Sequence, residues 1–161
     1  MFKSKSLLQK AMVALHITAG IYAGACLSIA VVDLRFFLSS ISKTDAILDI
    51  ASPLLENMGN LMVPQLVILF LLCLVFSIKG FRLKKSMITH LPLAIYLGVL
   101  GITLAVHIPI NLAIFAGEVP VEDMHDMLAR WDLWHWIRTV LAILLPGTVV
   151  KFYRPLVYAK S

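Results

Sequence analysis

The sequence predicts an all-α membrane protein, a bundle of four transmembrane helices with the N and C termini cytoplasmic. Composition points there first: 60% of the 161 residues are hydrophobic and only 14% are charged, with a mean hydropathy of +0.92. A soluble domain is about half apolar and about a quarter charged. The second observation is that the apolar residues gather into four runs, about 11–32, 61–78, 91–116 and 133–150. Each is long enough to cross a hydrocarbon core, which takes roughly 17–25 helical residues. No strand-like alternation accompanies them, and in lipid a helix satisfies its own backbone groups. The whole chain, 1–161, reads as one such domain.

The first run follows Lys3, Lys5 and Lys10, the arrangement of a signal peptide, and Ala23-Gly24-Ala25-Cys26 loosely resembles a lipoprotein cleavage site. The apolar run nevertheless continues through Ile29 and Val32, too long for a cleaved leader, so a membrane helix is expected. Gly20, Gly24 and Ser28 make a small-residue stripe in line with His16, the pattern of a close-packed helix face. The first loop, about Asp33–Asn60, is the longest and leaves room for an interfacial helix around Ala46–Met58.

The second run is entered past Asn57 and Asn60, carries Gln65, and ends at a basic loop of Lys79, Arg82, Lys84 and Lys85. The third bears Thr103, His107 and Asn111 at four-residue spacing, one helix face. Pro109, between the last two, removes a backbone donor and frees the carbonyl of Ala105, so a kink or an exposed acceptor is expected there. An acidic loop follows, with Glu118, Glu122, Asp123 and Asp126 and an ordinary loop histidine, His125. The fourth run opens with Trp131-Asp132-Leu133-Trp134-His135-Trp136-Ile137-Arg138, in which Trp131, His135 and Arg138 share a face. Asp132, one turn earlier, is placed to orient His135 or to pair with Arg138. Trp136 fits an interfacial aromatic belt.

Charge sets the orientation. Lys3, Lys5 and Lys10 fall at the N-terminus, Lys79, Arg82, Lys84 and Lys85 in the second loop, and Lys151, Arg154 and Lys160 at the C-terminus, while every acidic residue falls in the first or third loop. Lys and Arg concentrate on the cytoplasmic side. The net charge of +5 is therefore a topology signal with a lipid-headgroup contact beside it, and no nucleic-acid partner is implied. The two cysteines, Cys26 and Cys73, sit inside apolar runs with no Cys-x-x-Cys, which argues against thiol–disulfide chemistry.

Polar side chains in membrane helices are expensive and mark function. At a rise of 1.5 Å per residue, Arg138 lies roughly 9 Å below Asp132 and His107 roughly 16 Å below Glu118. These groups, with Asn57, Asn60 and Gln65 entering from the same side, can converge on one cavity open to the outer side. His16 lies nearer the cytoplasmic end.

Asn111, a short acidic loop, and then Trp131, Trp134, His135 and Arg138 resemble the anthrone oxygenase-like family of small four-helix membrane proteins. The resemblance spans nearly the whole chain, including Gly20 and Gly24 of the first helix, and is sharpest over residues 107–139. It implies a membrane-embedded, cofactor-independent monooxygenase that turns an anthrone methylene into a quinone carbonyl with dioxygen. On that reading His135 or His107 is the general base, Arg138 and Asn111 stabilise the enolate, and Trp131 and Trp134, with Gln65, hold the flat lipophilic substrate. Two alternatives stand beside it. One is a copper, iron or haem redox centre with His107, His135 and His16 as ligands. The other is a non-enzymatic assembly factor or complex subunit, and a homo-oligomer is left open. The expected location is the inner cell membrane.

Overall fold

The first, second and fourth apolar runs become helices longer than the runs themselves, because flanking polar residues extend the same hydrogen-bonded ladder. The computed structural model describes residues 2–33 and 44–158. Helix α1 covers Phe2–Ser28 and closes in a π-turn, Ile29–Asp33; α2 covers Thr44–Arg82. Helix α3, Leu91–Ile102, runs through a second π-turn, Thr103–His107, into α4, Ile108–Phe115; α5 covers Val121–Tyr158. Helices α3 and α4 form one crossing, so four segments are long and apolar enough to span a membrane: Leu7–Val31, Gly59–Arg82, Met87–Ile114 and Glu122–Tyr158. No strand occurs among the described residues. Arg35 and Lys160 lie outside the described residues, as do the side chains of Lys3, Lys5, Asp33, Asp45, Asp49 and Glu56.

Two sequence expectations change here. The segment 46–58 is helical, but as the start of α2 rather than a separate interfacial helix. The fourth helix begins at Val121, so Glu122, Asp123, His125 and Asp126 occupy its first turns instead of a loop. Carboxylates are favourable at that end of a helix, where free N–H groups gather. The turn that admits this early start is built on Gly117, whose φ of 65° closes α4. Glu118 N–H donates to the Ala113 carbonyl and Gly117 N–H to that of Ile114, both at 3.1 Å, the pairing that satisfies a helix C-terminus.

Burial follows helical periodicity. On α5 the inner stripe is Trp131, His135, Arg138, Ala142, Leu145 and Val149, spaced alternately by four and three. On α1 it is Leu15, Ala19, Tyr22, Cys26 and Ile29, and on α2 Leu66, Leu69, Cys73 and Phe76. Such a repeat keeps one face on the bundle axis. The cross-helix bonds set the directions: His135, early in α5, meets Cys26 near the end of α1, so these two run antiparallel, while Tyr153 near the end of α5 meets Ser77 and Cys73 near the end of α2, so these two run parallel.

The opposite faces are apolar too. Only 22–39% of each spanning window is buried within the bundle, and Val13, Ile17, Leu71 and Val140 stay about half exposed. Contiguous surface of this kind needs a nonaqueous neighbour, and the chain is a multi-pass membrane protein. Gly20, Gly24 and Ser28, expected at a packed interface, lie on this outer surface with His16, and a Cβ at either glycine meets nothing within 4 Å. The neighbours of α1 pack on its other side, along Leu15, Ala19 and Tyr22.

The interior differs between the two ends. Towards the ends of α2 and α5, Phe76 and Tyr153 stack with centroids 5.2 Å apart. Tyr153 O–H donates to the Cys73 carbonyl at 3.2 Å and accepts from Ser77 at 2.9 Å, which closes that half with every polar atom of the pair used. Towards the start of α5 the same axis holds Arg138, His135 and Trp131, and the bundle is hollow.

Candidate active site

The hollow is a cavity of about 360 Å³ bounded by all four crossings, at the small end of the roughly 300–1,000 Å³ that ligand pockets occupy. Its walls are mainly apolar, among them Met62, Leu66, Phe70 and Leu100, and its polar side chains include Tyr22, Thr103, His107, Asn111 and Arg138. Valines and leucines set its shape; the polar groups determine what it can hold.

Arg138 is 5% exposed and has not snorkelled to the interface. Its Nη2–H donates to His135 Nδ1 at 2.7 Å, and its Nη1–H reaches Thr103 Oγ1 at 3.4 Å. A guanidinium only donates, so His135 Nδ1 is an acceptor. His135 Nε2 lies 2.9 Å from the Cys26 carbonyl, which only accepts, so Nε2 carries the hydrogen. Both nitrogens of His135 are therefore committed, and its tautomer follows from its neighbours. Thr103 donates in turn to the Val99 carbonyl at 2.9 Å, and Thr139 to the His135 carbonyl at 2.8 Å.

His107 is 2% exposed and differs. Its Nδ1–H donates to the Ile102 carbonyl at 3.3 Å, and its buried Nε2 has no partner. The π-turn makes this possible. Pro109 cannot donate, and its ring crowds the preceding turn; the helix answers by widening, with Ile108 N–H bonding to the Thr103 carbonyl five residues back. The kink expected at Pro109 is thus a π-turn, a feature that recurs at functional sites.

Three rings gather around these groups. Trp131 stacks on His135 with centroids 4.8 Å apart and planes 3° from parallel. His107 meets Trp131 edge-on at 4.9 Å and His135 at 5.7 Å. Trp131 Nε1–H donates to Asn111 Oδ1 at 3.0 Å, which fixes the indole as a cavity wall.

The candidates chosen from sequence are therefore brought together in part. His107, Asn111, Trp131 and Arg138 line the cavity, and His135 lies directly behind them. Trp134 is half-buried against the core and does not line the cavity; Gln65 is half-buried with an unpartnered Oε1 and does not line it either. His16 is exposed on the outer face of α1, the side turned away from Tyr22. Asp132 neither orients His135, whose nitrogens are taken, nor pairs with Arg138: among the described residues the ion pair within 4.0 Å is the exposed His125–Asp126. Trp136, 39% exposed, faces outward as a belt residue would.

Tyr22 was missed from sequence. It is fully buried, lines the cavity and leaves its hydroxyl without a partner. A tyrosine inside an apolar run carries no spacing signal; only the packing of α1 against α5 brings it to the site. The cavity also reaches the lateral surface of the bundle. Val63, Val67 and Leu104 line it while each remains more than half exposed, so it opens sideways between α2 and the third crossing.

The geometry does not suit a metal held by these histidines. His135 has no free lone pair, His16 is elsewhere, and a guanidinium beside His135 repels a cation. What the arrangement offers instead is one free imidazole acceptor and a buried positive charge facing a lipophilic space.

Compared with known proteins, the chain matches the sequence model described as anthrone oxygenase over residues 53–145, more than half of its length. Neither a curated protein nor a solved structure matches it.

Proposed function

The chain belongs to the anthrone oxygenase family, and from that premise we propose that it oxidises the activated methylene of a flat, lipophilic aryl ketone with dioxygen, needing no cofactor. The observation that carries the reading is the unpartnered, buried Nε2 of His107, a residue that lines the cavity together with Arg138. A methylene beside two aryl rings and conjugated to a carbonyl is a carbon acid. In this mechanism His107 Nε2 takes its proton, and the electron pair moves onto the ketone oxygen, which Arg138 stabilises as charge develops. His135, with both nitrogens occupied, is a positioning residue: it orients the guanidinium and backs Trp131, on whose accessible side the substrate lies.

The electron-rich anion passes one electron to dioxygen, and the resulting radical and superoxide combine to form the carbon–oxygen bond. His107 returns its proton to the peroxide. Loss of the remaining hydrogen on that carbon with cleavage of the O–O bond releases water and leaves a carbonyl. The sum is R₂CH₂ + O₂ → R₂C=O + H₂O, with no external electron donor. The same reading places both termini on the cytoplasmic side, where the basic ends of the crossings belong, in the inner cell membrane.

The test is oxygen uptake by protein in lipid nanodiscs supplied with anthrone. His107→Gln lowers kcat by about 10²–10⁴-fold, the usual worth of a general base, and Arg138→Ala falls with it. Wild-type rates in both variants, or no uptake by the wild type, would end the oxygenase reading.

A further inference from the structure

The cavity holds a buried positive charge, that of Arg138. The guanidinium of Arg138 is a cation, and the groups bonded to it, His135 Nδ1 and Thr103 Oγ1, are neutral. Among the described residues no carboxylate lies within 4.0 Å of it. A lone ion in low-dielectric surroundings is costly unless something of opposite charge joins it.

The unpartnered atoms say where. Within the cavity lining, three buried side-chain atoms lack a hydrogen-bond partner: Arg138 Nε, Tyr22 Oη and His107 Nε2. The first carries a hydrogen to donate, the second has a hydroxyl hydrogen free, and the third is an acceptor. Thr103 has no hydrogen to spare, since it donates to the Val99 carbonyl. A ligand that satisfies the set offers one anionic or strongly accepting oxygen to the two donors and one acidic hydrogen to the imidazole.

Resting on the reading above, in which catalysis passes through an enolate, we propose that Tyr22 and Arg138 together seat the ionised oxygen of an aryl-oxide ligand, Tyr22 being a second catalytic donor. The seat is selective for arenolates, meaning aromatic rings with a single ionised oxygen in their plane. The flat apolar walls take the rings, and the paired donors take the oxygen. Reaction intermediates and phenolic inhibitors belong to the same class.

The probe is 2-naphthol, a phenol that is neutral in neutral water and whose absorption changes on ionisation. Binding is measured at neutral pH in phosphatidylcholine nanodiscs against lipid-only discs, with naphthalene as the neutral comparison. The wild type holds the probe as naphtholate. Tyr22→Phe weakens naphtholate binding at least about ten-fold, the worth of one hydrogen bond to a charged group, and leaves naphthalene binding unchanged. Should Tyr22→Phe fail to fold, Arg138→Gln carries the test and must release the naphtholate while keeping naphthalene. A wild type that binds only neutral naphthol, or a Tyr22→Phe protein with an unchanged naphtholate fraction, overturns the proposal. Oxygen is not consumed in this assay, so the seat and the oxygenase reading fail separately: naphtholate binding through Tyr22 without anthrone oxidation removes only the latter.

Discussion

At Arg138 the chain buries a guanidinium whose hydrogen-bond partners are neutral, and it does so in the inner stripe of a membrane helix where the equivalent positions, Ala142, Leu145 and Val149, are apolar. Stability alone does not call for such a residue. Apolar replacements of buried ions are often neutral or stabilising, so Arg138→Met is expected to leave the thermal midpoint in detergent unchanged or raised while abolishing anthrone oxidation. A lowered midpoint would make the residue structural. His135 illustrates what residue identity alone leaves undecided. From sequence it is as good a base as His107; in the folded chain its lone pair is taken by Arg138 and its N–H by Cys26, and only His107 keeps a free nitrogen.

The element that matters most is the third crossing, where the Thr103–His107 π-turn interrupts α-helical geometry at the site. Its cause was legible, since Pro109 removes a donor at a known position. Its form was not, because a kink, a water-filled gap and a π-turn all answer the same missing bond. Pro109→Ala restores the donor and is expected to return the segment to a regular α-helix, moving His107 relative to Arg138. Far-UV circular dichroism should show helicity kept or increased, with oxygen uptake down by at least about ten-fold, as misplacing a catalytic group by an ångström costs on the order of 10²-fold. Uptake at the wild-type rate would mean that the π-turn does not position the base. The fourth helix carries the opposite lesson. Its inner stripe can be read from the spacing of Trp131, His135 and Arg138, whereas its early start at Val121 depends on the turn at Gly117.

At the scale of the molecule the bundle is filled around Tyr153 and hollow around Arg138, and the hollow reaches the outer surface between α2 and the third crossing. Val67 and Leu104, 53% and 55% exposed, stand on the two sides of that opening. With the spans Gly59–Arg82 and Met87–Ile114 set in a bilayer, the opening meets hydrocarbon, and a substrate dissolved in lipid arrives without crossing water. Val67→Trp and Leu104→Trp narrow the passage. Each is expected to raise KM several-fold, in mole fraction of anthrone in the lipid, with kcat unchanged; an equal fall in kcat and unchanged KM would show that the bulk reaches the site itself.

The sequence by itself determined that the chain is helical and membrane-embedded, which faces of the third crossing and of α5 turn inward, and that His107, Asn111, Trp131 and Arg138 share one level. Composition, run length and the three-to-four spacing are local properties of a helix, and lipid enforces them on every crossing. Only the tertiary structure decided that the inward face of α1 is the one with Tyr22 and not the one with Gly20 and His16. It alone decided that Trp134 and Gln65 stand outside the cavity and that His107 rather than His135 has a lone pair to use. Those outcomes depend on which helix lies against which and at what rotation. A helix that is apolar all round carries little record of that choice, because lipid and protein interior solvate its side chains almost equally well.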